Sequence, residues 1–360
     1  MLTPREFFRP LVAGAPTPIV EIPRLPSRVL HCFDPSNDRM VDKLPVLSQR
    51  CDVLLANLED GVSADRKVRA RNRLINLPRT VEFDDWQLWV RINGLDTSLA
   101  LDDLEAIVPA LGDHRIVIVV PKVDRADEIM FVDRLLAQLE ARAGLEHPLL
   151  VHALIETASG MTNVEAIAGA SPRLQGLSLG SGDLAADRRM RATGVGGVNP
   201  EYLVREGPSD IDAQARRRTS KQDLWHYTLV RIVDACAANG IFAYNGPFGN
   251  TADPVGCEDA FRNAFILGCV GTWTLHPSQI DIANRVFTPS ASDVAWAARV
   301  IASTESSNGS VLVDGLMQDE ATVKQCRALI ELAGIISTRT ASIAVPRRSV
   351  LQSARSDGRN

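Results

Sequence analysis

The sequence predicts an α/β protein, a (β/α)8 TIM barrel with a C-terminal helical extension, and three observations carry that reading. Eight short apolar runs rich in β-branched residues recur along the 360 residues. Stretches with helical patterning separate them. The residues just past the runs are regularly polar and reactive. The runs are Val29–Phe33, Val53–Leu58, Leu88–Ile92, Ile116–Val120, Leu149–Ile155, Leu174–Leu179, Ile241–Tyr244 and Val270–Leu275. Each has strand length and lacks polar alternation, as parallel strands covered on both faces require. Helical segments are expected at Asp65–Ile75, Leu99–Leu111, Arg125–Ala143, Gly160–Ala168, Asp223–Ala238 and Cys257–Leu267. Such an alternation of strands and helices favours a closed barrel over an open sheet.

The sixth connection, Asp187–Gln222, is far longer than the others and holds the glycine-rich Thr193-Gly-Val-Gly-Gly-Val-Asn-Pro. A connection of this length is expected to be an active-site lid or a subunit contact, the plainer alternative being a floppy insertion. After the barrel, residues 1–290, an extension over 291–345 is expected. Ser290 or Ser292 would cap its first helix, a strand-turn piece would cover Val311–Met317, and a last helix Glu320–Leu332. Residues 346–360 are polar and basic and are expected to be disordered.

Composition narrows the function classes. A hydrophobic share of 45% and a charged share of 23% are those of a globular chain. A net charge of −5 offers no basic footprint for nucleic acid, so an anionic substrate must be held by a few placed cations. No apolar run reaches the roughly 18 residues that cross a bilayer, and no membrane partner is expected. The opening MLTPREFFRP lacks the pattern of a secretory leader. The six cysteines are scattered without metal-ligand spacing and read as reduced core residues, which suits a cytoplasmic protein.

Barrel enzymes work at the C-terminal ends of their strands. There the sequence places Glu59-Asp60, Arg91 with Asn93, Pro121-Lys122, Glu156-Thr157, Gly180-Ser-Gly-Asp183, Tyr244-Asn-Gly-Pro-Phe and His276-Pro277. Glu156 and Asp183 end neighbouring strands, roughly 4.8 Å apart, and can converge on one ion. Two oxygen ligands completed by water or substrate suit Mg²⁺. The plainer reading is that each carboxylate caps the following helix or pairs with a surface cation. Gly180 and Gly182 would let a ligand approach the backbone. Arg91 lies in an apolar strand, where an unpaired charge is costly, so it needs Glu59, Asp60 or a substrate carboxylate. Lys122 invites a Schiff-base role, although no second lysine lies nearby to lower its pKa. His276 reads equally as an acid/base or an orienting hydrogen-bonder.

These stretches carry a resemblance to the citrate lyase β-subunit/malyl-CoA lyase branch of the HpcH/HpaI aldolases. The matching segments are Leu58-Glu-Asp, Val90-Arg-Ile-Asn-Gly-Leu-Asp-Thr, Val120-Pro-Lys-Val, Ala153-Leu-Ile-Glu-Thr-Ala-Ser-Gly-Met, Gly180-Ser-Gly-Asp-Leu-Ala-Ala, Gly246-Pro-Phe-Gly, Leu275-His-Pro-Ser-Gln-Ile and Phe287-Thr-Pro-Ser. The long sixth connection and Tyr244–Gly249 are more similar to malyl-CoA lyases than to the shorter citrate lyase β-subunits. The resemblance implies Mg²⁺, with Mn²⁺ an alternative, on Glu156 and Asp183, and Arg91 on the acyl or keto-acid group. Glu59 and Asp60 would orient that arginine and metal-bound water. Gly182, Asp183, Arg28, Lys43 and Pro247 would meet the CoA thioester and its 2-oxo acid. Asp314-Gly-Leu-Met-Gln-Asp319 resembles the motif by which a neighbouring subunit supplies an aspartate, so Asp319 is the candidate general acid/base of a homotrimer or homohexamer. Read without the resemblance, Asp319 is a helix N-cap before Glu320. Three places depart from the pattern: Asn57 and Asn250 stand where the family has aspartates, and Asp34-Pro-Ser36 replaces a Pro-Gly-Ser turn.

The expected reaction is reversible cleavage of a 3-hydroxyacyl-CoA such as malyl-CoA into acetyl-CoA and glyoxylate. Thioester hydrolysis and citramalyl-CoA cleavage are the neighbouring alternatives. From another class, the chain would be a CoA-ester-binding subunit of a multi-subunit lyase complex. A nicotinamide enzyme is disfavoured, since no GxGxxG follows the first strand.

Overall fold

The computed structural model describes residues 11–344 apart from 20, 80, 82–86, 115, 192–193, 200, 207–217 and 306–309. The chain divides into two compact units, Met1–Phe287 and Thr288–Asn360. In the first, β1 (Val29–Phe33), β2 (Val53–Asn57), β3 (Gln87–Arg91), β4 (Val117–Val120), β5 (Leu150–Ile155) and β6 (Leu174–Leu179) pair in parallel in chain order. A two-stranded antiparallel ribbon, β7 (Leu203–Glu206) and β8 (Arg218–Lys221), then interrupts the series. β9 (Phe242–Asn245) and β10 (Gly271–Thr274) resume it, and β10 pairs with β1 to close an eight-stranded parallel barrel.

The strands lack alternation because both of their faces are buried. In β2 all five residues are buried. Leu54 and Ala56 face the helices, while Val53 and Leu55 join Leu30, Trp89, Val119, Leu154, Tyr244 and Trp273 inside the barrel. Burying each such aliphatic side chain contributes ~1.5–3 kcal/mol. The interior also holds polar groups that bond from strand to strand, although Nδ1 of His152 is left without a partner among the described residues. Imidazole Nδ1 of His31 lies 2.9 Å from Thr274 Oγ1, and Nε2 of His152 lies 2.7 Å from Ser178 Oγ, which also accepts from Trp273 Nε1. Burial pushes His31 down to about 4 and His152 to about 3, so both are neutral at physiological pH.

At the N-terminal end of the barrel the closing contacts are ion pairs. Arg28 forks onto Asp52 at 2.8 and 2.9 Å, and Arg173 bridges Asp133 and Glu140 from beneath β6. A buried charge without a partner costs several kcal/mol, and the fork geometry removes that cost.

Local chemistry explains where the elements begin and stop. The segment expected to be one helix over 160–168 is two, Ala158–Thr162 and Val164–Ala168, meeting at Asn163. The helix after β4 runs Ala126–Ala143, with Glu128 reaching back to the Arg125 amide. In the second unit Ser290 Oγ accepts from the Asp293 amide at the start of Ala291–Glu305. β11 (Val311–Val313) and β12 (Leu316–Gln318) form a hairpin, and the last helix continues to Ala344, well past Leu332. Ala297, Val300, Val313, Val323 and Cys326 form this unit's own core.

Candidate active site at the mouth of the barrel

Neighbouring strands of the barrel end in a ring of charge. Asn57 ends β2 and is followed by Glu59 and Asp60; Arg91 ends β3; Lys122 follows β4; Glu156 follows β5. Asp183 lies in the first turn of the helix Ser181–Asp187 after β6. The structure therefore gathers Glu59, Asp60, Arg91 and Glu156, with Asp183 near enough to act on Glu156 through its charge.

Arg91 is held from three directions. Nε donates to Asn57 Oδ1 at 2.8 Å, Nη2 donates to the Asp60 carbonyl at 3.0 Å, and Nη1 lies 3.3 Å from Glu59 Oε2. Its guanidinium carbon stands 5.8 Å from the centre of the Trp273 ring. Both readings of Arg91 are compatible with this arrangement, because a five-donor fork so held keeps N–H groups in reserve for a ligand.

Asn57, the departure from an aspartate, has work that a carboxylate cannot do. Its Oδ1 accepts from the Glu59 amide as well as from Arg91, while its Nδ2 donates to the Asp60 carbonyl. Sequence reasoning did not foresee this, nor the part of Lys67, whose Nζ donates to the carbonyls of Leu58 and Glu59 at 2.7 and 2.8 Å. Lys67 sits on the helix after β2, and no spacing in the sequence marks it.

Lys122 has φ 51°, in the left-handed region. For a residue with a β-carbon this costs ~1–2 kcal/mol. Its amide donates to Glu156 Oε1 at 2.9 Å, and its Nζ donates to Glu59 Oε1 at 2.7 Å and Asp60 Oδ2 at 2.9 Å. Burial opposes the ammonium charge, yet the two carboxylates hold it protonated above the usual lysine range. That removes the Schiff-base role, which requires a free amine. Burial would raise Asp60 too, but its bond to Lys122 keeps its carboxyl below the ordinary range.

Glu156 is 1% exposed. It does not cap the next helix: Thr157 does, its hydroxyl accepting from the Gly160 amide at 2.9 Å. Gly180 makes room for it, since a β-carbon there would lie 2.3 Å from Glu156 Cβ and 2.5 Å from Oε2. Burial pushes the Glu156 carboxyl up to about 8, with the charges of Asp183 and Glu59 adding to the rise and Arg91 opposing it. Asp183 is exposed, and its carboxylate takes no hydrogen bond from the described residues. Two crowded carboxylates with oxygen donors only are what a hard divalent cation relieves, so Glu156 and Asp183 fit Mg²⁺. Among the described residues no three His, Cys, Asp or Glu side chains are placed to hold an ion by themselves. Two carboxylates leave the remaining positions to water or substrate.

The glycine-rich segment of the long connection packs beside the same mouth. Gly196 has φ 70°, and a β-carbon on it would meet the Pro247 carbonyl at 2.3 Å. The Gly249 amide donates to Val195 O at 2.7 Å, and Gly182 faces the Val195 side chain. Pro247 and Gly182 are thus brought to the site through this segment. His276 is turned into its own loop, Nδ1 accepting from the Ser278 amide at 3.2 Å, which favours the orienting reading. Asn250 likewise closes a local turn onto the Ala252 amide.

Three further residues expected at the site have partners of their own. Arg28 precedes β1, at the opposite end of the barrel from the charged mouth, with its fork on Asp52. Lys43 is exposed in the β1–β2 connection, where its amide bonds to Met40 O. In that connection Asp34 closes its own turn by accepting from the Ser36 amide and hydroxyl. Asp319 belongs to the second unit, where Oδ1 accepts from the Ala321 amide at 2.9 Å at the start of Glu320–Ala344.

Fold and site define a barrel enzyme whose strand ends form an acidic mouth fitted to a divalent cation. Residues 30–277 match the HpcH/HpaI aldolase/citrate lyase family, and the chain belongs to it. It is 46% identical to a malyl-CoA/beta-methylmalyl-CoA/citramalyl-CoA lyase of Chloroflexus aurantiacus, over 94% of this chain and 97% of that protein. It is 30% identical to a (3S)-malyl-CoA thioesterase of Cereibacter sphaeroides, over 88% of this chain and 98% of that one. Among solved structures, the protein CitE from Mycobacterium tuberculosis in complex with magnesium, acetoacetate and coenzyme A superposes with a TM-score of 0.64 at 26% identity. That superposition covers 86% of this chain and 98% of the other.

Proposed function

We propose that the protein is a Mg²⁺-dependent carbon–carbon lyase that reversibly cleaves a 3-hydroxyacyl-CoA such as malyl-CoA into acetyl-CoA and glyoxylate. The observation that carries this reading is the buried Glu156 beside Asp183, within the electrostatic reach of Arg91, at the mouth of the barrel. The likeness to a malyl-CoA/beta-methylmalyl-CoA/citramalyl-CoA lyase supports the substrate class. Glu156 and Asp183 would hold Mg²⁺, or Mn²⁺, and the ion would polarise the carbonyl of a 2-oxo acid. Arg91, fixed by Asn57 and Glu59, would offer its remaining N–H groups to the thioester oxygen, where enolate charge develops as the carbon–carbon bond breaks. Asp319 moves the proton at the methyl carbon of acetyl-CoA, supplied by the neighbouring copy of a homotrimer or homohexamer. The hairpin that precedes it exposes Leu312, Leu316 and Met317, apolar surface of the kind a second copy covers. We assign the protein to the cytoplasm because its six cysteines are free thiols.

Hydrolysis of the thioester is a second reading, favoured by the likeness to the thioesterase. Incubation with malyl-CoA, with and without Mg²⁺, separates the two when glyoxylate is trapped as its phenylhydrazone and free CoA is measured. Metal-dependent glyoxylate release is expected, and Asp319→Asn is expected to bind the metal normally but lose most turnover. Free CoA without glyoxylate would replace the lyase by the thioesterase.

A further inference from the structure

We infer that Lys122 is a positioning residue that assigns the divalent cation to Glu156 and Asp183 by occupying the other acidic pair, Glu59 and Asp60. This rests on the reading of Glu156 and Asp183 as the ligands of that cation.

The mouth holds four carboxylates, and their positions in the chain do not decide which two receive the ion. Glu59 and Asp60 are adjacent, and Glu59 Oε1 and Asp60 Oδ2 both accept from the single Nζ of Lys122, so their oxygens already converge. Without cations of their own they would make a second hard, oxygen-only ligand set. Arg91 reaches Glu59 at 3.3 Å, and Lys122 reaches Glu59 at 2.7 Å and Asp60 at 2.9 Å. These two cations contact the pair directly, while Lys67, bonded to the Glu59 carbonyl, acts on it through its charge alone.

The backbone of Lys122 explains how one residue serves both pairs. Among the described residues only Lys122, Arg189 and Asp314 have a positive φ without being glycine. Glycine would adopt this conformation without strain, so a lysine here is retained against local preference. The turn aims its amide at Glu156 Oε1, while the side chain crosses to the opposite pair. One residue holds Glu156 in place for the ion and keeps the ion off Glu59 and Asp60.

The test follows from separating these two contacts. Lys122→Gly retains the amide, relaxes φ and removes the ammonium; Lys122→Met removes the charge while keeping most of the side chain. Calorimetric titration of each variant with MgCl2, without CoA ester, is expected to show a second ion per chain where the wild type takes one. The glycine variant is expected to melt no lower than wild type. Turnover of malyl-CoA is expected to fall on the order of 100-fold, chiefly in kcat, because Glu59 and Arg91 are displaced. Lys122→Arg is expected to restore the single ion. A single ion bound with wild-type affinity by both the glycine and methionine variants would overturn the inference. Wild-type protein that binds Mg²⁺ but releases no glyoxylate would instead overturn the lyase reading, and the ion count would remain decisive for Lys122.

Discussion

At the end of β5 the chain sets Glu156 beneath Gly180 and beside two other carboxylates, where burial pushes its carboxyl up to about 8. In the unfolded chain the same group titrates near 4.5. Between those values the folded protein holds a proton that the unfolded chain has lost, so this residue withdraws stability as pH rises from 4.5 to 8. A cation at Glu156 must displace that proton, which couples binding to pH. Mg²⁺ affinity should therefore rise about tenfold per pH unit between pH 6 and 8 and level off above. Calorimetry at pH 7 in buffers of different ionisation enthalpy should show close to one proton released per ion. Affinity independent of pH over that range would mean that Glu156 is already ionised or is not a ligand.

The elements matter because strand ends fix what touches what. β6 delivers Gly180 against Glu156, and its φ of −97° suits any residue, so only space excludes a side chain. Gly180→Ala should leave the barrel folded at a cost of ~1–3 kcal/mol and weaken Mg²⁺ binding at least ~10-fold by pushing the carboxylate aside. Melting and Mg²⁺ titration check this together; unaltered affinity would show that Glu156 has room to move. The barrel strands were legible in the sequence to within a residue or two, because parallel strands buried on both faces leave continuous apolar runs. The reactive residues after them were legible for the same reason, once the strand ends were known. The break at Asn163 was not, since apolar spacing continues across it. The ribbon of β7 and β8 lies in polar sequence with no strand pattern. The left-handed turn at Lys122 and the service of Asn57 to Arg91 depend on contacts between strands, which no local pattern encodes.

At the scale of the molecule, the barrel unit gathers the acidic mouth, while Asp319 sits in a unit with its own core. The extension was legible as helix, strand-turn and helix, and the tail over 346–360 lies outside the described residues. A barrel that carries its chemistry on strand ends can lose one ligand without losing its core. Glu156→Gln tests this, because the amide keeps the shape and removes the charge that a cation needs. The most direct measurement is glyoxylate release from malyl-CoA by wild type and Glu156→Gln across a series of Mg²⁺ concentrations. The wild type should be silent without the metal and saturate with it. The variant should fold normally yet release glyoxylate at least ~1000-fold more slowly, as the loss of several kcal/mol of charge stabilisation requires. Release that is independent of Mg²⁺, or is matched by the variant, would contradict a metal-dependent lyase at this site.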